Sequence, residues 1–404
     1  MKTKWCLALC ALMAGTAVAA ASGATGFTWT ESPVVVASGD QFDSSISGPY
    51  VTYTDTSAGS ADVGYVDLRD GSVHVVANAA WPVDEQLADV SGNLIAYTGS
   101  TGGPADVFLY DIATAVTTRI TSDPFDQINP SVSGQLVAYE DYSSGRGHIC
   151  EYTFGSAATS CLGGPDEQAG PSASGTNVAY IDQQTGDIGV WDTGAGTTRI
   201  VSVGWSGVPD LEGSHVVFPA SAPGGSDIVV ANLAGGRTTL PLPGDQVNPH
   251  ISGDWVAFEN LSSGVSHINL WNYVTGELEQ PNVSPASQSL VDISGHRVVY
   301  TDNRNGNLDI YSFEFVPPES ADGQIGGLIG DVKALGLPKG TQTSLLAKLD
   351  DAQAALKVGN TAAACSDLGS FISETSAQSG KKIAASDASA LIAKAQQIEA
   401  SIPC

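Results

Sequence analysis

Between residue 21 and Pro318 this 404-residue chain contains no lysine, and 7 arginines there stand against 34 aspartates and glutamates. A surface so poor in cations repels phosphate backbones and anionic lipid headgroups, which argues against nucleic acid as a partner. Long apolar runs are also missing. After the first 20 residues no segment approaches the roughly 20 apolar residues that span a bilayer, so no transmembrane segment is expected in the mature chain. Sequence signatures of catalysis are lacking as well, with no GxSxG elbow, no HExxH pair and no glycine-rich phosphate loop. The stretch GWSGV at Gly204 to Val208 approximates a nucleophile turn but has the wrong spacing. Six histidines (His74, His148, His215, His250, His267 and His296) are dispersed through the chain, and each taken singly reads as a surface or strand residue.

Cysteine is scarce and unevenly placed. Lys2 and Lys4 precede the apolar run Trp5 to Met13, and Ala17, Val18 and Ala19 form a small-residue cleavage site, so residues 1–20 read as a secretory signal. The mature protein is expected to be secreted, periplasmic or at the cell surface, with its four remaining cysteines oxidised. Four cysteines allow three pairings. Cys150 and Cys161 flank the turn at Gly155 and Ser156 symmetrically, and Cys365 and Cys404 both lie in the C-terminal region, so pairing within each region is the simplest arrangement.

What the chain has in abundance is one repeated pattern. Its clearest copy, NPSVSGQLVAYED at Asn129 to Asp141, recurs with Gly48, Gly92, Gly134, Gly175, Gly213, Gly253 and Gly295 at corresponding points, separated by 44, 42, 41, 38, 40 and 42 residues. A period near forty built of strand signals matches one four-stranded propeller blade. Three positions after each glycine comes a β-branched residue (Val51, Ile95, Val137, Val178, Val216, Val256, Val298). Five positions after it comes an aromatic (Tyr53, Tyr97, Tyr139, Tyr180, Phe218, Phe258, Tyr300). This parity puts both on one strand face, as core. A further strand opens on Asp62, Asp106, His148, Asp187, Asp227, His267 or Asp309, read as turn-tying residues. The seventh copy stops after NLDIYSFEF without an outer strand, and one appears instead at the front, around Val34 to Val36. The expected fold is an all-β seven-bladed β-propeller over residues 21–316, closed by its N-terminal strand, which removes a free sheet edge.

At Pro317 and Pro318 the composition changes: from Glu319 onward there are 7 lysines, no arginine and 9 acids. The apolar period also changes, from two to near 3.6. Leu345, Leu346, Leu349, Ala352 and Leu356 make one helical stripe closed by Gly359, and Leu368, Phe371, Ile372 and Thr375 a second closed by Gly380. Ser386 offers an N-cap before Leu391, Ile392, Ala395 and Ile398, and Ile325 to Leu335 is a weaker segment. After a linker at 317–322, residues 323–404 are expected to form a small helical bundle stapled by Cys365 and Cys404.

Two recurrent polar positions are the candidate site. Three residues before each glycine stand Ser45, Asp89, Ser131, Ser172, Asp210, His250 and Asp292, each followed by an apolar residue. If the innermost strands line a channel, these form a ring of three carboxylates, three hydroxyls and one imidazole. Eight residues before the glycine stand Asp40, Asp84, Asp126, Glu167 and Asp245, followed by Gln41, Glu85, Gln127, Gln168 and Gln246, in the connections near one channel mouth.

The repeats resemble the TolB-like (WD40-like, PD40) propeller family over roughly residues 30 to 315, most clearly in LVDISGHRVVYTDNRNGNLDIY at Leu290 to Tyr311. The resemblance implies a scaffold that engages a protein partner at the mouth of its channel. Similar blades occur in peptidase accessory domains and pectin-fragment lyases. TolB carries an additional N-terminal α/β domain for which this chain has no room, so a role in the Tol system is not expected. The stretch GNTAAACSDLGSFISETSAQSGKKI resembles the FIMAH helical module of secreted bacterial proteins, with Phe371 and Ile372 at its Phe-Ile position and Ser373, Glu374 and Thr375 in place of Met-Ala-His.

The expected function is a secreted, non-enzymatic scaffold that binds a protein or peptide, such as a cell-envelope component, at an acidic channel mouth, with the helical module serving surface association. No resident cofactor is expected, a divalent cation in the channel being the one candidate. The alternatives are a metal-dependent carbohydrate-active lyase of the pectin-fragment type and a purely structural cell-surface protein. A lyase site would need several ligands converging on a metal plus a base, and among imidazoles the inner positions supply only His250.

Overall fold

A computed structural model of the protein describes residues 21–22 (backbone alone), 27–76, 84–100, 102–164, 167–281, 284–317 and 319–402. The expected signal at residues 1–20 lies outside the described residues. The chain divides between Val316 and Pro317 into two compact units.

In the first unit each sequence copy becomes an antiparallel meander. Copy three is representative, with strands Gln127–Ser133, Leu136–Asp141, His148–Thr153 and Ala158–Cys161 paired in that order. Gly134 turns the chain between the first two strands at φ +57°, a left-handed conformation that costs glycine least. The β-branched and aromatic residues of the second strand are buried in all seven copies. Copies five and six share one larger sheet through a short parallel pairing of Gly225 with Gly244 and Ser226 with Asp245. In copy five the inner strand is only Asp210–Glu212.

The seventh copy contributes Gln288–Ser294, Arg297–Asp302 and Asp309–Val316, and the strand Thr28–Val35 pairs antiparallel with the last of these. Phe27 seats this N-terminal segment, fully buried with its ring 5.5 Å from that of Phe315 and 5.8 Å from that of Trp255. Adjacent copies are stitched together by a recurring bond. The repeat glycine donates its N–H to the side chain that precedes the glycine of the previous copy, as Gly92 does to Ser47 at 3.1 Å and Gly134 to Ser91 at 3.2 Å. The same bond runs from Gly175 to Ser133, Gly213 to Ser174, Gly253 to Glu212 and Gly295 to Ser252, and from Gly48 back to Ser294.

Cys150 and Cys161 are directly opposed on adjacent strands and form a disulfide. Cys365 is disulfide-bonded, and Cys404 lies outside the described residues. The second unit holds four helices: α1 (Ala321–Ala334), α2 (Lys339–Lys357), α3 (Thr361–Gln378) and α4 (Ala385–Ser401). Leu345, Leu349, Leu368, Phe371, Leu391 and Ile398 meet in its core. Two expected boundaries move. Ser320 caps α1, which begins two residues before the predicted edge. Ser386 is not a cap, because α4 already begins at Ala385, where alanines carry the helix back without a side-chain cap. Among the described residues no helix is long and apolar enough to cross a membrane.

Candidate functional site

Six of the seven inner strands carry a register break directly before the ring position, between Phe42 and Ser45, Gln86 and Asp89, Ile128 and Ser131, Ala169 and Ser172, Val247 and His250, and Ser289 and Asp292. At each break one residue is left-handed: Asp43, Leu87, Asn129, Gly170, Asn248 and Leu290. For the two leucines that conformation is strained, and the neighbouring copy helps to hold the bulges. Leu290 donates its N–H to the buried Glu259 at 2.8 Å, and Gly170 donates to the buried Glu140 at 2.9 Å. A bulge re-aims the side chains that follow it.

The outcome is that all seven ring residues, Ser45, Asp89, Ser131, Ser172, Asp210, His250 and Asp292, line one cavity of about 270 Å³. Asp43, Asn129 and Asn248 also line it, and the lining includes no lysine or arginine. Asp43, five residues before its glycine, is a fourth carboxylate that the sequence reading missed. The asparagines at the same position in copies three and six, a residue type that tolerates left-handed backbone, are the signal that could have found it.

Within the ring the carboxylates are engaged by the protein. Asp89 accepts the Ser45 hydroxyl at 2.8 Å and the Val90 N–H at 2.8 Å on one oxygen, and the Ser131 hydroxyl at 3.1 Å and the Val132 N–H at 2.7 Å on the other. Asp210 accepts the Ser172 hydroxyl and the Ile251 N–H. Asp292 accepts the N–H groups of Ile46 and Ile293. His250 Nδ1 stands 3.3 Å from Asp292 and 3.7 Å from Asp210.

Burial in the cavity wall works against a charged imidazole, but the Asp292 bond and the fields of Asp210, Asp292 and Asp89 outweigh it and raise His250 to about 9. Its side chain is 37% exposed, toward the cavity that it lines. Burial raises Asp89 to about 6, opposed by the Val132 N–H and reinforced by Asp292. At neutral pH the ring therefore carries its own cation. Among the described residues no group of three or more His, Cys, Asp or Glu side chains is disposed to hold a metal ion, and the bonds already made to Asp89 leave its oxygens no free acceptor direction for one. Asp89 is therefore closed to the expected divalent cation, while Asp43 in the same lining keeps an unpartnered Oδ2.

The second set does not join the cavity lining. Asp40 accepts the Leu308 N–H at 3.0 Å, Asp84 the Ala61 N–H at 3.3 Å, and Asp126 the Ala105 N–H at 2.8 Å. Asp245 accepts the Ser226 hydroxyl at 3.4 Å. Glu167 is half-buried, with its backbone carbonyl accepting from Gln183. The four aspartates tie their connections to the preceding copy, at the end of the sheets where the inner strands begin.

No protein-family model matches the sequence, and no curated protein matches it. Solved structures do. A puromycin hydrolase superposes with a TM-score of 0.53 at 15% identity, over 66% of this chain and 50% of that one. An oligogalacturonate lyase in complex with manganese gives 0.50 at 12%, over 75% and 98%. TolB from Acinetobacter baumannii gives 0.42 at 18%, over 52% and 57%. The chain thus spans about half the length of the puromycin hydrolase and TolB structures. At such identities the likeness shows the fold alone, and that fold is of the β-propeller type.

Proposed function

We propose that this protein is an exported binding scaffold: a ring of seven blades that takes a positively charged segment of a protein or peptide at the acidic mouth of its central cavity. The observation that carries this reading is the cavity lining, which brings together four carboxylates and one imidazole with no lysine or arginine. The exposed Asp40, Asp84, Asp126 and Asp245 stand on the same end of the strands. A recess whose carboxylates outnumber its single imidazolium, with further acids at its rim, keeps a net negative field that raises the local concentration of cationic ligands. Ring closure is supported by the Gly48 to Ser294 bond, which carries the stitch between copies from the first back to the seventh, and by the N-terminal strand beside Asp309–Val316. The Cys150–Cys161 disulfide accords with export. The helical unit is read as an accessory module of the FIMAH kind, on the strength of Phe371 and Ile372.

A peptide array tests this reading, with the labelled full chain applied to basic, neutral and acidic peptides at low and high salt. Basic peptides are expected to retain it, less so at high salt, and less when Asp84→Asn, Asp126→Asn and Asp245→Asn are combined. Each of these aspartates uses one side-chain oxygen toward its neighbour, an acceptor that asparagine keeps. Retention independent of peptide charge would overturn the proposal.

A further inference from the structure

The fifth copy departs from the pattern where five of the others place their connection acids and the seventh has Ser287. Eight residues before its glycine stands Trp205, and next to it Ser206 replaces the usual glutamine or glutamate. A glutamine there reaches into the preceding sheet, as Gln168 does to accept the Ile149 N–H at 3.1 Å and Gln288 the Ile268 N–H at 3.0 Å. The serine side chain is two atoms shorter, and the main chain makes the ties instead. Gly204 donates its N–H to Asp187 at 2.7 Å, Ser206 to the Gly186 carbonyl at 3.1 Å, and Gly207 to the Pro219 carbonyl at 2.8 Å. The Trp205 carbonyl accepts from Ser221 at 3.1 Å. The contact with Gly186 is so close that a Cβ on that glycine would lie 2.6 Å from the Trp205 Cα.

The backbone is thus held from both sides while the indole is 67% exposed, with Val203 at 84% and Val208 at 56% beside it in the chain. Val208 and Pro209 line the central cavity, so Trp205 stands three residues from its lining. A large, rigid aromatic presented on a fixed backbone is the side-chain type that dominates binding energies at protein interfaces, because little ordering remains to be lost on contact.

We infer that Trp205 is the anchor for the partner, and that the partner presents an apolar side chain flanked by lysine or arginine. This deepens the reading of the acidic mouth and rests on it. The apolar requirement comes from the exposed Val203–Val208 segment, and the cationic one from the carboxylates of the cavity and of the neighbouring connections. The exposed indole face adds a cation–π attraction for the same groups.

The test titrates the full chain with the blocked pentapeptide KLKLK and its counterpart ELELE, using calorimetry and tryptophan emission. Trp205→Ala is expected to weaken KLKLK binding by about tenfold or more, and Trp205→Phe by no more than about threefold. The emission change on binding should vanish in the phenylalanine variant, and ELELE should not bind. The indole is exposed, so the variants should melt as the unmutated chain does. KLKLK binding unchanged by Trp205→Ala but lost in the Asp84→Asn, Asp126→Asn, Asp245→Asn variant would overturn the anchor and leave the acidic mouth standing. Failure of the unmutated chain to bind KLKLK would overturn both.

Discussion

Arg304 in the seventh copy donates to Glu31 of the N-terminal strand, with Nη1 3.0 Å from Oε2, across 273 residues of chain. The same guanidinium bonds Asp302 at 2.8 Å and stacks 3.9 Å above the Tyr311 ring. Glu31 is buried and also accepts the Tyr300 hydroxyl. The buried Glu31 charge is therefore compensated only where the N-terminal strand meets the seventh copy, whereas Arg304 keeps Asp302 as a second partner.

Glu31→Ala should cost about 1–3 kcal/mol, because it leaves the buried Tyr300 hydroxyl without its acceptor and Arg304 with Asp302 alone. Phe27→Ala should cost about 3–5 kcal/mol by emptying a fully buried site. Deletion of residues 21–38 should exceed either. Urea melts check all three, and a deleted chain as stable as the intact one would remove the N-terminal segment from the ring.

Stability should fall as pH rises from about 5 to 9. His250 is raised to about 9, so its contribution is full below its unfolded value near 6.5 and is lost as pH climbs through 9. Asp89 and Glu85, raised by burial to about 6 and about 7, bind more protons folded than unfolded, so deprotonation through those values also disfavours the fold. Thermal melting at pH 5, 7 and 9 measures the slope. His250→Gln should flatten only the upper part, between about 6.5 and 9.

Glu85 occupies a position where five other copies have glutamine, and it is buried with one oxygen 3.3 Å from the Val63 N–H. Glu85→Gln keeps that acceptor and removes a buried charge. It should stabilise the protein by about 1–2 kcal/mol above pH 7 and give no gain at pH 5. Melting the variant beside the unmutated chain at both pH values checks this.

The Cys150–Cys161 bridge closes a separation of 11 residues between strands that already pair. Replacing both cysteines by serine should cost about 2–3 kcal/mol through the freedom restored to the unfolded chain. Peptide mapping without reduction should recover the two cysteines in one cross-linked fragment, and melting with and without reductant gives the magnitude.

The parts of this protein legible in its sequence are those that strand geometry makes local. Parity along a strand put Val137 and Tyr139, and their six equivalents, on a buried face, and the same spacing aligned Asp89, Asp210, His250 and Asp292 at one level of the inner strands. Symmetry across the Gly155–Ser156 turn likewise pointed to the Cys150–Cys161 bridge. Tertiary structure decided what those aligned residues meet. The left-handed bulges at Asp43, Asn129 and Leu290 turn the ring inward, and the donors that fill Asp89 come from copies one and three as well as its own, 44 and 42 residues away. Trp205 shows the same division. Its identity is plain in the sequence, yet its exposure follows from backbone bonds to Gly186 of copy four and to Pro219 and Ser221 of the next strand of its own copy, because burial and hydrogen bonding depend on neighbours that strand periodicity does not specify.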